Sequence, residues 1–184
     1  MRASGILMPV FSLPSRYGIG SFSKSAYQFV DMLKKAGQKY WQILPLCPTS
    51  YGDSPYQSFS TYAGNPYFID LEELVEAGFL TRKEVEACDC GKAARDIDYG
   101  KLYENRFKLL RKAYERANVG EDQEFEAYRR ENAWWLDDYA LFMAVKDRFD
   151  GVAWNEWAEG NYLEPDLRYG KKFLEVIRKY VEEG

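Results

Sequence analysis

A short stretch at residues 48–60 concentrates the side chains that could bind a ligand. It brings together prolines, a glycine, tyrosines, hydroxyl residues, an amide and a carboxylate, in the order Pro48-Thr49-Ser50-Tyr51-Gly52-Asp53-Ser54-Pro55-Tyr56-Gln57-Ser58-Phe59-Ser60. Ordinary connections are shorter and chemically plainer. Such a loop binds ligands when a rigid scaffold presents it, but the same hydroxyls also cap backbone groups in a rigid turn. The residues alone leave both interpretations open.

The elements that precede this loop predict where it lies in the fold. Short apolar runs at 4–10 and 40–46 indicate strands, the first of them buried, and apolar residues at helical spacing predict a helix over 23–36 between them. A strand, a helix and a strand with short connections form a βαβ unit with parallel strands. Loops that follow parallel strands meet at the carboxyl edge of the sheet, where α/β enzymes place their sites. This position favours the binding interpretation.

Beyond residue 66 the patterns are mainly helical. After a short extended piece at 67–70, we expect helices at 71–77, from Thr81 onward with a capping box, across 98–117, at 121–130, at 133–149 and at 173–181. All-parallel sheets are covered on both faces, and isolated strand pairs are marginally stable. The sequence therefore predicts the beginning of a larger α/β domain, with the remainder of that domain as its partner.

Composition excludes several classes of function. The net charge is −4 with no basic block, and no apolar run approaches the roughly 18 residues of a membrane helix, so neither nucleic acid nor membrane is an expected partner. The chain has no histidine, which excludes histidine-based catalysis and histidine metal sites within it. Cys88-Asp89-Cys90 is either a metal-binding pair or two incidental thiols. Three cysteines without a signal peptide predict a cytoplasmic protein.

Several stretches carry longer patterns. They are Ser12-Leu13-Pro14 with Tyr17-Gly18-Ile19-Gly20, Tyr40-Trp41-Gln42-Ile43-Leu44-Pro45-Leu46, Tyr51-Gly52-Asp53-Ser54-Pro55-Tyr56-Gln57-Ser58, Gly64-Asn65-Pro66-Tyr67, Trp134-Trp135-Leu136-Asp137-Asp138-Tyr139-Ala140-Leu141-Phe142 and Trp154-Asn155-Glu156-Trp157. Together they resemble the 4-α-glucanotransferase family, known as amylomaltase in bacteria and as disproportionating enzyme in plants. The resemblance runs from about Ser4 to Trp157 and corresponds to the N-terminal portion of the family.

The resemblance implies an α/β fold, the N-terminal part of a (β/α)8 TIM barrel with a large inserted, mainly α-helical subdomain. Residues 1–70 would hold the first two parallel strands, the first helix and the active-site loop 48–60, and residues 71–184 the inserted subdomain and a truncated tail. The implied reaction transfers a segment of an α-1,4-glucan to glucose or another glucan, with retention. The expected ligands are maltodextrins, maltotriose and amylose, with no cofactor.

The carboxylates of that reaction are missing from the sequence. Retaining chemistry needs a nucleophile and an acid/base carboxyl about 5 Å apart. In the family they lie in Arg-Ile-Asp-His-Phe-Arg and Ala-Glu-Asp-Leu-Gly runs, and a third aspartate lies in a Thr-His-Asp-Asn run. None of these runs occurs here. We therefore expect no catalytic residue in this chain, which would be an inactive N-terminal fragment by itself.

The resemblance does carry substrate-binding residues over to this sequence. They are Tyr51, Asp53, Ser54, Tyr56, Gln57 and Tyr103. Tyr56 resembles the tyrosine near the scissile sugar, and Tyr51 with Tyr103 resembles a pair at a second glucan site outside the active cleft. A turn-capping role for Asp53 and a packing role for Tyr103 stay open. The alternatives to a glucanotransferase are a non-catalytic maltodextrin-binding module and a helical interaction protein without a sugar role.

Overall fold

The computed structural model describes residues 3–50, 52–91 and 96–148 of the chain. Strand β1 (Gly5–Leu7), helix α1 (Lys24–Lys35) and strand β2 (Tyr40–Gln42) come first. The strands are parallel, with Gly5 opposite Tyr40, which confirms the predicted βαβ unit. The tryptophans at 154 and 157 and the helix predicted at 173–181 lie outside the described residues. Within those residues, no helix combines the length and apolarity needed to cross a membrane.

Helix α1 begins and ends on local signals. The Ser23 hydroxyl accepts a hydrogen bond from the amide of Ser25 (3.3 Å), and Gly37 adopts a φ of 70° just after the helix. The ring of Phe29 meets that of Trp41 edge to face at 5.1 Å, and the indole nitrogen of Trp41 donates to the carbonyl of Met8 (2.7 Å). These contacts hold the helix and both strand segments together.

Two expectations about extended structure were wrong. Strand β1 is exposed instead of buried, with Leu7 56% accessible. The physical reason is that a parallel strand is buried only when further strands and helices cover it, and the described part of the chain forms a sheet of two strands. Of the extended piece predicted at 67–70, Ile69 and Asp70 are extended, but residues 66–68 form a 3₁₀ turn, because Pro66 opens the turn and the Asn65 side chain caps it.

From residue 71 onward the described chain is mainly helical. Its helices are α2 (Leu71–Glu76), α3 (Arg82–Ala87), α4 (Tyr99–Lys101), a π-helical segment (Leu102–Arg106), α5 (Phe107–Ala117) and α6 (Gln123–Arg148). The capping box of α3 is confirmed, with Thr81 and Glu84 satisfying each other's backbone amides. The two helices predicted at 121–130 and 133–149 are one helix, α6, because no glycine or proline interrupts residues 123–148.

The chain divides into two compact units. One consists of residues 1–46 and 64–119, and the other of residues 47–63 and 120–184. The core of the first unit has two clusters of buried side chains. They are Val10, Leu13, Ile19, Ala26, Tyr67, Phe68, Cys90 and Leu102, and then Leu71, Leu80, Val85, Leu109 and Ala113. The domain boundary predicted at residue 70 separates the start of a barrel from its helical insertion, and this boundary stays a prediction.

A buried arginine ties the loops of the first unit to its helices. Arg106 is 1% exposed, and its guanidinium donates to the carbonyls of Ile69 (2.6 Å) and Tyr17 (3.4 Å). Burial lowers its pKa, since the charged form loses water. A buried charge is tolerated only when acceptors replace that water. Arg106 therefore fixes the loop after β1 and the segment before α2 against the 102–106 segment.

The loop after β1 is also held by a hydrogen bond from a tyrosine hydroxyl to a carboxylate. The Tyr17 hydroxyl donates to the carboxylate of Glu72, which also accepts from the Arg82 guanidinium at 2.6 Å. Burial, with a further contribution from Glu72, raises the pKa of Tyr17 to about 12. The phenol therefore stays protonated at neutral pH and keeps its role as donor.

We expect Arg106→Met to destabilise the first unit. Methionine retains apolar volume and helix propensity, but it leaves the Tyr17 and Ile69 carbonyls without their donor, at a cost of about 1–3 kcal/mol. Urea unfolding followed by circular dichroism measures the change. Arg111→Met, on an exposed position of α5, is the matched control and should change stability little. Equal unfolding free energies for the two variants would contradict the anchoring role.

Candidate functional site

Residues 49–58 form a small hairpin stabilised by its own backbone. Thr49 and Ser58 make an antiparallel bridge, and the amide of Ser50 donates to the carbonyl of Gln57 (3.0 Å). Inside the hairpin, the amide of Asp53 donates to Ser50, and that of Gln57 to Ser54, each at 3.1 Å. Two consecutive turns therefore present the polar side chains from a defined backbone.

Asp53 occupies a backbone conformation that few residues adopt. Its φ is 54°, in the left-handed region where aspartate and asparagine are tolerated better than most side chains. Its carboxylate accepts a hydrogen bond from the Thr49 hydroxyl at 3.4 Å. Burial raises the pKa of Asp53, and the bond from Thr49 offsets part of that rise. This contact joins two side chains of the hairpin, so the turn-capping role and the contact with sugar both stay predictions.

An apolar anchor fixes the hairpin within the second unit. Phe59 is buried, its ring is stacked with that of Tyr139 at 6.4 Å, and it meets Phe142 at 5.7 Å. The ammonium group of Lys146 lies 4.1 Å from the centre of the Phe59 ring, where burial lowers its pKa. Helix α6 therefore supplies the rigid support that a binding loop needs.

A second anchor follows directly in the chain. The buried Ser60 hydroxyl accepts hydrogen bonds from the amides of Tyr62 (3.2 Å) and Ala63 (3.0 Å). The Tyr62 ring meets Trp134 edge to face at 4.8 Å. The sequence alone does not predict these anchoring roles. The one available signal was an apolar residue, Phe59, inside an otherwise polar loop.

The structure brings four of the six predicted binding residues together in the hairpin. Asp53 and Ser54 are half-buried, while Gln57 is exposed and Tyr56 is 73% exposed. The Ser54 hydroxyl accepts from the amide of Tyr56 at 3.3 Å. Tyr51 lies outside the described residues. The hairpin thus offers an aromatic ring, a phenol and an amide, the groups that bind the apolar faces and the hydroxyls of sugars.

Tyr103 belongs to the other compact unit and is described by itself. It lies in the π-helical segment, is 67% exposed, and packs edge to face on Phe107 at 5.9 Å. Most of its ring is available to a ligand, and one edge takes part in packing. Both interpretations of this residue therefore keep support. Among the described residues, no group of three histidine, cysteine or acidic side chains could hold a metal ion.

Comparison with known proteins defines the class of protein. A family model described as 4-alpha-glucanotransferase matches residues 8–180. Because this match covers most of the chain, the chain belongs to the 4-alpha-glucanotransferase family. The resemblance predicted from the sequence motifs is confirmed.

Individual relatives agree with this assignment. The chain is 52% identical over 161 residues to the 4-alpha-glucanotransferase of Streptococcus pneumoniae, covering 87% of this chain and 32% of the relative. It is 49% identical over 176 residues to that of Clostridium butyricum, covering 96% of this chain and 34% of the relative. The chain thus spans about a third of the length of the curated relatives that it matches, in their N-terminal part.

A solved structure supports the fold. The chain resembles the amylomaltase from Streptococcus agalactiae in complex with acarbose, with a TM-score of 0.79 and 38% identity. The match covers 100% of this chain and 36% of that one. Together with the parallel strand pair, it places the chain in the α/β class of the amylomaltases. The inserted helical subdomain stays a prediction.

We expect Asp53→Gly and Asp53→Ala to differ in stability. Glycine adopts the left-handed conformation of residue 53 without strain, whereas this conformation should lower the unfolding free energy of the alanine variant by about 1–2 kcal/mol. Urea unfolding of the two variants measures this difference. If alanine and glycine were equally stable at this position, residue 53 would not be left-handed in solution. The glycine variant then provides a folded hairpin without the carboxylate, in which sugar binding can be measured.

Proposed function

We propose that the protein to which this chain belongs is a 4-α-glucanotransferase. It transfers a segment of an α-1,4-glucan to glucose or another glucan by a retaining mechanism. The observation that carries this proposal is the family match over residues 8–180, which includes the whole hairpin. The acarbose bound by the structural neighbour is a maltooligosaccharide analogue and supports glucan binding.

In this proposal the hairpin is one wall of the glucan cleft. The exposed ring of Tyr56 packs against the sugar near the scissile bond, and Ser54, Gln57 and Asp53 supply hydrogen-bonding groups. The carboxylates that break and form the glycosidic bond belong to residues outside these 184. In the same proposal Tyr51 and Tyr103 are glucan-binding residues, as the resemblance of the sequence motifs implies. The function of this chain is thus to bind and orient the glucan, and no cofactor is required.

The remainder of a (β/α)8 barrel is the proposed partner of the exposed sheet. Strand β1 exposes Ile6 and Leu7, and strand β2 exposes Tyr40. Covering these side chains buries apolar surface, and each Å² buried contributes about 25 cal/mol of favourable free energy. Residues 1–70 then begin the barrel and residues 71–184 form its helical insertion. The cytoplasmic location predicted from the sequence belongs to the same proposal.

A non-catalytic maltodextrin-binding module is the second candidate. The absence of the family's catalytic runs from this sequence favours it. Both candidates use the same hairpin, so they differ only in chemistry. Membership of the family favours either of them over an interaction protein without a sugar role.

A transfer assay separates the two candidates. We expect the 184-residue chain to leave maltotriose unchanged, because it lacks a nucleophile, while a protein of the relatives' length converts it to glucose and longer maltodextrins. Chromatography of the products measures both reactions. Products from the short chain would show that it holds its own catalytic carboxylates. Inactivity of the longer protein, with maltodextrin binding retained, would favour the binding module.

A substitution series tests the hairpin as the binding wall. We expect Tyr56→Ala to weaken maltodextrin binding by about 3–10-fold, the effect of losing one aromatic contact. Tyr56→Phe keeps the ring and isolates the contribution of the hydroxyl. Tyr114→Ala removes a similarly exposed tyrosine of α5 and should leave affinity unchanged. Calorimetry measures the affinities, and equal affinities for Tyr56→Ala and Tyr114→Ala would remove Tyr56 from the site.

A further inference from the structure

Two cysteines that the proposed function does not use lie side by side. Cys88 and Cys90 follow α3, both are free thiols, and their sulfur atoms are 2.7 Å apart. Two sulfurs at this distance need only a small movement to form a bond. The third cysteine, Cys47, belongs to the other compact unit.

The turn that carries the two thiols is held in place by its neighbours. Its own backbone closes it, since the amide of Cys90 donates to the carbonyl of Cys88 at 3.0 Å. Asn105 donates to the carbonyl of Asp89 (2.9 Å), and Lys101 pairs with the Asp89 carboxylate (2.8 Å). A side chain added at Gly18 would come within 1.7 Å of the Cys90 carbonyl oxygen, so the turn is also packed closely from that side. The thiols are therefore positioned before any reaction.

The two sulfurs differ in access. Cys88 is half-buried and lines an open groove of about 400 Å³ between α3 and α5, together with Asn105 and Lys108. Cys90 is 2% exposed, and burial raises the pKa of its thiol to about 12. A small polar oxidant can enter the groove that Cys88 lines, whereas Cys90 does not line this groove and is closed to solvent. This difference in access is that between an attacking and a resolving cysteine.

We propose that Cys88 and Cys90 form a reversible oxidation site that reacts with hydrogen peroxide. The Cys88 sulfur, on losing its proton, attacks one peroxide oxygen. The O–O bond breaks, hydroxide leaves and takes up that proton as water, and Cys88 becomes a sulfenic acid. The Cys90 sulfur then attacks the Cys88 sulfur, the S–O bond breaks, and hydroxide leaves with the Cys90 proton as a second water. The two sulfurs lose two electrons and the peroxide oxygens gain them. A dithiol reductant restores both thiols by thiol–disulfide exchange and is itself oxidised to a disulfide.

Mass spectrometry of the purified full-length protein tests this site. Reduced protein is treated with hydrogen peroxide, alkylated and digested with trypsin, which releases both cysteines in the peptide of residues 84–92. We expect that peptide to resist alkylation and to be lighter than its reduced form by two hydrogen atoms. Treatment with dithiothreitol should restore alkylation at both positions. Cys47, in a different peptide, should remain alkylated throughout.

Two variants keep the result interpretable. Cys90→Ser should lose the internal disulfide and accumulate sulfenic or sulfinic acid at Cys88, whereas Cys47→Ser should form the disulfide as the parent does. Circular dichroism checks that both are folded, and the measurement on the parent protein does not depend on either. Full alkylation of both thiols after peroxide, or sulfinic acid at Cys88 with Cys90 still alkylated in the parent, would overturn the proposal.

Discussion

The organisation of the first unit depends on one buried cation. The guanidinium of Arg106 reaches carbonyls 89 and 37 residues earlier in the chain, and so joins the loop after β1, the segment before α2 and the helix that carries Arg106 itself. Its neighbours along that helix, Leu102, Leu109 and Ala113, are also buried. A charge thus lies on an apolar face, where it is tolerated because backbone oxygens replace its water. Apolar burial alone would not specify which loops meet that helix.

The hairpin shows the opposite arrangement, since some of its polar residues are accessible while hydrogen bonds fix its backbone. Exposed and buried residues lie close together in its sequence. Tyr56 and Gln57 face solvent, and Phe59 and Ser60 are buried two residues later. One anchor is an aromatic contact with α6, and the other is a hydroxyl that accepts from two amides. If the hairpin binds sugar as proposed, its backbone does not have to be ordered on binding, which removes one entropic cost.

The sequence predicts those parts of the fold that local signals determine. The βαβ unit, the end of α1 at Gly37 and the capping box at Thr81 all follow from residues close together in the chain. The burial of Arg106 could not be predicted, because arginine is normally exposed and its acceptors are distant in sequence. The exposure of β1 depends on what covers the sheet, which no local pattern contains. For the site, the motif identified the hairpin, but the support that Phe59 receives from α6 is again a distant contact.

The second unit consists of two separated pieces of chain, so the ribosome makes one piece well before the other. Of the two pieces, residues 47–63 are synthesised earlier. Residues 64–119, which belong to the other unit, are then synthesised before α6. The ring of Phe59 waits for Tyr139 for roughly 4–16 s at synthesis rates of about 5–20 residues per second. During that interval Phe59 lacks the partners that bury its side chain. Until α6 has been made, the hairpin has its own backbone hydrogen bonds but lacks the aromatic contacts that bury Phe59.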